Sequence, residues 1–374
     1  MRTPADPEVI LCAGGGGVGK TTTAAAIGLA LARAGRRTLV VTIDPARRLA
    51  GALGVSLGDT VSRVEIPEAH GRLAALMPDP RRSLGTFVEQ LFAEEPAARA
   101  RVAHNRLFTA LSDAVAGIHE LVAMNLVARA AEGGDFDVVV IDTAPSRQAV
   151  DFVTYPERLA TLLGGRTVAW LADLAARAAT PDAPPARGSL KAWGASHVEA
   201  LVARVTGPTL VRDTADLFSD LALVRERFVG LTTHASRLLL GDRAAYALVA
   251  APTAAARDDV LFLAARLEAL GQAPRAVVLN RAEDAPTPHL QRLRDDPGAT
   301  RAVQLAAAAL ADESARRAEA ARTVGVELGR RVRAPQVRLP WVESVTPFGT
   351  VAALCEAVTP HLATLLPPPR RARG

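Results

Sequence analysis

The chain has almost no cysteine and almost no lysine. Its two cysteines, Cys12 and Cys355, stand far apart without any Cys-x-x-Cys pair, which excludes a disulfide framework and a zinc knuckle. Both read as small buried hydrophobes. Uncharged apolar runs fall short of the roughly 18 residues that a membrane-spanning helix needs, so stable membrane insertion is not expected. The first apolar run, Val9–Val18, is glycine-rich and unlike a secretory leader, and a cytoplasmic location is expected. Only three methionines occur, which leaves few adaptable thioethers for a promiscuous apolar groove.

Of the 44 basic residues only Lys20 and Lys191 are lysine. The high pI of about 9.9 therefore reflects arginine, which does not titrate in this range, and the net charge is only +5. The arginines are dispersed along the chain instead of forming a basic stripe, and nucleic acid is not an expected partner. In such a chain a lysine placed within a glycine run calls for a chemical reason.

What is present describes a folded protein: 374 residues, 49% hydrophobic and 22% charged. Short apolar runs at Val9–Cys12, Arg37–Ile43, Phe136–Ile141, Tyr246–Ala250, Arg275–Leu279 and Gln336–Leu339 read as strands, with Leu73–Leu76 a weaker candidate. Helices at Thr21–Ala34 and Asp258–Leu270 alternate with them, which predicts an α/β fold with a mostly parallel central sheet. Two stretches, 83–132 and 151–240, read as helical insertions forming a subdomain; the nucleotide-binding core is then 1–82, 133–150 and 241–366. The basic tail 367–374 is expected to be disordered.

Gly14-Gly15-Gly16-Gly17-Val18-Gly19-Lys20-Thr21 matches the phosphate-loop pattern G-x-x-x-x-G-K-[ST] at every fixed position. Glycines let backbone N–H groups converge on phosphates, and the helix that follows adds its positive end. The pattern assigns Lys20 to the β/γ-phosphates and the Thr21 hydroxyl to magnesium, with Thr22 at the α-phosphate. The ligand so implied is ATP with Mg. Asp142, closing an apolar strand, can support the same metal ion. Asp44 closes the second strand, where spacing alone leaves open a water-orienting base and an ordinary turn aspartate before proline.

Taken in order, these motifs resemble the arsenite-pump ATPase family, ArsA, and its relatives that target tail-anchored membrane proteins. The loop Gly14–Thr22 looks like the family's Gly-Lys-Gly-Gly-Val-Gly-Lys-Thr. Asp44-Pro45-Ala46 is similar to its first switch, and Gly117-Ile118-His119-Glu120 to its Gly-Ile-Asp-Glu. Asp142-Thr143-Ala144-Pro145-Ser146 looks like the second switch, while Val278-Leu279-Asn280 and Leu339-Pro340 fall where the family recognises and lines adenine. The resemblance implies a P-loop ATPase working as a nucleotide-switched homodimer. Asp44 would be its water-activating base and Asn280 its adenine reader. It also implies, as alternatives, an ATP-gated carrier of a hydrophobic client such as a tail-anchored segment, or a partition ATPase of the ParA/MinD kind.

Two departures bear on that expectation. The family's loop carries a second lysine that reaches a partner's phosphates, and here that position is Gly15. Arg47, Arg48 and Arg147 are the candidate substitutes, since a guanidinium clamps phosphate well. The cysteines that bind arsenite in the pump are absent, and so is the Cys-x-x-Cys that clasps some dimeric relatives. In the subdomain, Leu107, Phe108, Trp170, Phe218 and Phe228 could line a groove, although a stripe of this kind is more often helix–helix core.

Overall fold

The structure is a computed structural model that describes residues 8–43, 48–66, 70–106, 108–109, 118–132, 134–143, 208–283, 288–342 and 344–367. Eight strands build one sheet: β1 (Glu8–Gly14), β2 (Arg37–Thr42), β3 (Ser62–Val64), β4 (Arg72–Leu76), β5 (Val138–Asp142), β6 (Ala244–Ala250), β7 (Pro274–Leu279) and β8 (Gln336–Arg338). Their order is β3-β4-β2-β5-β1-β6-β7-β8, and every pairing is parallel except β3 with β4. The α/β reading therefore holds.

The central strands are buried along their whole apolar length, as a sheet covered on both faces requires. Leu73–Leu76, the weak candidate, is a full member of the sheet beside β2. The three residues of β3 carry too little pattern to be read from sequence, and they form the antiparallel edge. The run beginning at Phe136 enters the strand at Val138, with the Asp137 carboxylate bonded to Arg37 just before it.

Register decides where function can sit. Asp142 lies level with Cys12 on one side and Thr42 on the other, at the carboxyl ends of β5, β1 and β2. From β1 the chain crosses outward to β2 on one flank and later to β6 and β7 on the other. Such a reversal of strand order opens a crevice at the carboxyl edge, where α/β sheets bind ligands.

The helix Lys20–Arg33 fills the space behind this edge. Alanine at five of its positions and Gly28 let it lie close to the sheet; a Cβ on Gly28 would stand 2.3 Å from a Val40 methyl. It ends cleanly because Gly35 takes a left-handed φ of 89°. The helix Pro347–Val358 packs along its other side.

Arg37 and Asp137 tie the starts of β2 and β5 together. The Asp137 carboxylate accepts from the Arg37 backbone N–H at 2.8 Å and from its guanidinium at 2.7 Å. The guanidinium bond holds the Asp137 carboxyl below the usual carboxylate range, opposed by partial burial. A carboxyl lowered in the folded state contributes stability above its unfolded pKa of ~3.9, and loses it as pH falls through the folded value. Asp137→Asn should thus cost about 1 kcal/mol near neutral pH. Urea unfolding of both proteins should show that difference shrinking as the pH is lowered below the ordinary carboxylate range.

By contact the chain divides into two units, one from 1–79, 126–151 and 237–374, the other from 80–125 and 152–236. Two of the boundaries fall inside the helices Ile118–Glu132 and Arg225–Leu240, which is why no turn residue marks those two in the sequence, while another falls at Pro80, where a helix begins. The second unit has its own core of Phe87, Leu91, Phe92, Leu217 and Phe228, with the Phe87 and Phe228 rings edge to face at 6.2 Å. Phe228 is core and Phe108 packs against it; Phe218 is half-buried. Arg101 bonds the buried Asp220 carboxylate through its Nε at 3.0 Å, and Arg227 meets Glu95 at 2.7 Å. Leu107, Trp170 and most of the 151–240 insertion lie outside the described residues.

Candidate functional site

The glycine loop connects β1 to the helix Lys20–Arg33, and each position in it has a local cause. β1 runs so close to β6 that a Cβ on Gly14 would stand 2.2 Å from the Val249 carbonyl oxygen. Gly17 and Gly19 hold left-handed φ values of 72° and 89°, which side chains disfavour. Gly16 has open space around it, and Val18 is buried. The helix starts at Lys20 with Gly19 as its N-cap, and no side chain caps it. Its first-turn N–H groups are thus presented to an anion with the helix dipole behind them.

Lys20 is buried, 6% exposed, and its ammonium donates to the Gly15 carbonyl at 2.7 Å across the loop. Thr21 is nearly buried and Thr22 half-buried on the same helical turn. Together with Gly17, Gly19, Arg48 and Arg281 these three residues line a pocket of about 190 Å³. Backbone amides, two hydroxyls, one ammonium and two guanidinium groups suit a polyanion, and an apolar ligand would find little to bury.

Asp142 is completely buried at the end of β5, where its Oδ2 accepts from the Thr42 hydroxyl at 3.0 Å. The next residue, Thr143, donates its hydroxyl to the Cys12 carbonyl at 2.9 Å, which holds the chain end of β5 against β1. Burial, and then the Asp142 charge, push the Cys12 thiol far up, with Lys20 opposing. Cys12 therefore stays protonated and is no nucleophile. A carboxylate and a threonine hydroxyl are hard oxygen donors of the kind magnesium accepts, so Asp142 and Thr21 fit that metal chemically.

Asn280 follows β7, and its Nδ2 donates to the Val18 carbonyl at 2.9 Å. The amide fills the place a Gly19 side chain would take, since a Cβ there would stand 2.2 Å from Nδ2. Asn280 is thus built into the back of the loop with one of its N–H groups committed to it. At Gly15 the corresponding space is taken by the Asp259 carboxylate, 2.2 Å from an added Cβ. A lysine at that position would have to displace it.

Asp44, Arg47 and Arg147 lie outside the described residues, as do Ala144, Pro145, Ser146 and Gly117. Ile43 is described: its N–H donates to the Asp142 carbonyl at 2.9 Å, so the chain leaves β2 beside Asp142 one residue before Asp44. Arg48 lines the pocket, as one of the candidate cations. Sequence reasoning missed Arg281 and Trp341. Arg281 was hidden among many arginines, and its signal was the position directly after the strand-end asparagine.

The profile of the anion-transporting ATPase family matches residues 7–178. The chain is 30% identical over 150 residues to the ATPase GET3 of Malassezia globosa, covering 40% of this chain and 43% of that protein. It is 29% identical over 158 residues to the ATPase get3 of Schizosaccharomyces pombe, covering 41% and 45%. With the ATPase get3 of Schizosaccharomyces japonicus it shares 29% over 164 residues, 42% of this chain and 48% of that one. The matches thus span less than half the length of these curated relatives. The loop, β2 and β5 all fall inside the matched stretch, and Asn280 and Arg281 lie beyond the family profile. Residues 7–178 of this chain carry the domain of the anion-transporting ATPases, the ArsA family that its motifs resemble.

Proposed function

We propose that this protein is a magnesium-dependent ATPase that binds ATP at Gly14–Thr22 and hydrolyses it to ADP and phosphate. The observation that carries the reading is the buried Lys20 ammonium folded over the loop, 2.7 Å from the Gly15 carbonyl, at the mouth of an uncapped helix. An ammonium withdrawn from water in that position has a triphosphate as its natural counter-charge.

In this reading the amides of Gly15, Gly16, Gly17, Val18 and Gly19 cradle the β-phosphate, and Gly14 sets the turn. Lys20 spans the β- and γ-phosphates, and Thr22 meets the α-phosphate. Thr21 and Asp142 supply the oxygens that hold magnesium, directly or through its water. When bound, the metal neutralises charge developing on the phosphoryl oxygens. Asp44 orients the attacking water and accepts its proton. Asn280 keeps a second N–H and its carbonyl for the adenine edge, which favours ATP over GTP. The protein works as a homodimer in the cytoplasm, and its loop carries glycine where the resemblance implies a second lysine reaching the partner.

Asp44→Asn tests the chemistry. Affinity for ATP should stay within about threefold, while single-turnover phosphate release should slow by ~10²–10⁴. An unchanged rate would remove Asp44 from the mechanism.

A second reading makes an apolar client the output, such as a tail-anchored segment, with ATP as the switch; the similarity to the GET3 ATPases favours it. Among the described residues of the second unit Leu223 is the exposed large hydrophobic, and single exposed side chains are ordinary. A partition-type ATPase has the weaker support, because the arginines form no stripe.

A further inference from the structure

Arg281 stands directly after Asn280, and its backbone is unusual. Its φ of 57° is the one positive value carried by a non-glycine residue among the described residues. A left-handed arginine costs on the order of 1 kcal/mol unless the surroundings fix it. The surroundings do fix it. The Asn280 N–H donates to the Ala250 carbonyl and the Ala282 N–H to the Leu339 carbonyl, both at 2.8 Å, so the turn is clamped on either side. The Asn280 side chain is clamped to the phosphate loop as well.

This turn delivers the Arg281 side chain to the wall of the phosphate pocket, facing Lys20, Thr21 and Thr22. Its guanidinium also lies over the Trp341 ring, 5.5 Å from the centroid. On the same ring sits Arg317, at 5.3 Å, which is anchored by Glu283 at 2.9 Å. Trp341, itself partly exposed, thus carries two guanidinium groups against its ring. A guanidinium that stacks on a ring keeps all its N–H groups in its own plane, free to donate sideways. A contact with the ring face takes up none of the Arg281 N–H donors.

Sheet order adds a second point. Arg48 comes from the segment after β2 and Arg281 from the segment after β7, on opposite flanks of β1 and its loop. The pocket is gripped by a cation from each side.

We propose that Arg281, held by Trp341, is a phosphate-binding residue that adds positive charge to the nucleotide in cis, in a chain whose loop carries glycine at the position of the second lysine. The proposal rests on the nucleotide reading above. It also makes Trp341 an optical reporter of occupancy, because a phosphate drawing on the guanidinium alters the field at the indole.

The test compares Arg281→Gln and Arg281→Lys, which share the backbone cost, with Lys20→Ala and wild type. Calorimetry with Mg·ATP, inorganic triphosphate and adenosine gives the affinities, and the Trp341→Phe variant isolates the indole signal. Arg281→Gln should weaken ATP and triphosphate binding by ~10- to 100-fold and leave adenosine unchanged. Arg281→Lys should recover part of the loss, and the ATP-induced fluorescence change should vanish in Trp341→Phe. The salt dependence of ATP binding should be shallower in Arg281→Gln. Wild-type triphosphate affinity in Arg281→Gln, alongside lost affinity in Lys20→Ala, would overturn this proposal and spare the nucleotide reading. Equal losses for adenosine and triphosphate would overturn it too, by making Arg281 a base contact. Wild-type ATP affinity in Lys20→Ala would instead sink the nucleotide reading on which both depend.

Discussion

Lys20→Ala should reduce phosphate release to background and weaken ATP binding by ~100-fold or more. The ammonium is buried at the loop and, in the proposed complex, makes charge-assisted bonds to two phosphates, each worth about 1.5–3 kcal/mol. Lys20→Arg should not restore activity. A site that leaves lysine 6% exposed disfavours the wider planar guanidinium, whose donors are spread over three nitrogens instead of meeting at one. The fold should survive the alanine change, because it removes a buried charge and the Gly15 carbonyl can turn to water. Steady-state phosphate release together with a thermal melt separates the two effects. Activity within threefold of wild type would remove Lys20 from the chemistry.

Gly14→Ala should destabilise the whole domain. The added methyl would meet the Val249 carbonyl oxygen at 2.2 Å, and that oxygen belongs to the backbone of β6. Gly14 and Val249 are register partners in the centre of the sheet, so neither strand can move without disturbing the next ladder. A loss of ~3 kcal/mol or more is expected, at the severe end for one methyl group. Gly16→Ala is the matched control. Nothing lies within 4 Å of its Cβ, and its effect on stability should stay within ~0.5 kcal/mol. Urea midpoints for the two variants decide the matter, and equal midpoints would mean that β1 and β6 have slack that the geometry denies.

Much of this site is written locally, and that part is legible. Gly17 and Gly19 need left-handed backbone, Lys20 opens a helix, and Asp142 ends an apolar strand; each leaves a mark within a few residues. The strand runs around Val40, Val140 and Leu248 are continuous in apolar character because both faces of the sheet are covered. Features that depend on distant packing left no such mark. Asp259 comes to lie against Gly15 only through the docking of the helix Ala254–Ala269. Arg281 and Trp341 meet across 60 positions of sequence, and nothing in either local pattern announces the pair. The reading of Asn280 also changed in kind. Sequence offers it to adenine, and the structure first makes it a brace for the loop, through the Val18 carbonyl. Bracing the loop uses one of the two N–H groups that the amide carries.

In relatives with lysine at the position of Gly15, the resemblance implies a charge supplied across a dimer. Here the Asp259 carboxylate occupies the space and the pocket takes its additional cations from Arg48 and Arg281. Hydrolysis that depends less on a partner subunit is the expected consequence.

The most direct measurement is calorimetric titration of the purified protein with ATP in the presence of magnesium. Saturable binding of one nucleotide per chain, lost in Lys20→Ala and weakened when magnesium is withheld, is the outcome expected from the loop geometry. A flat titration with intact, folded protein would contradict the account at its root, since the glycine loop and the uncapped helix behind it would then bind no nucleotide.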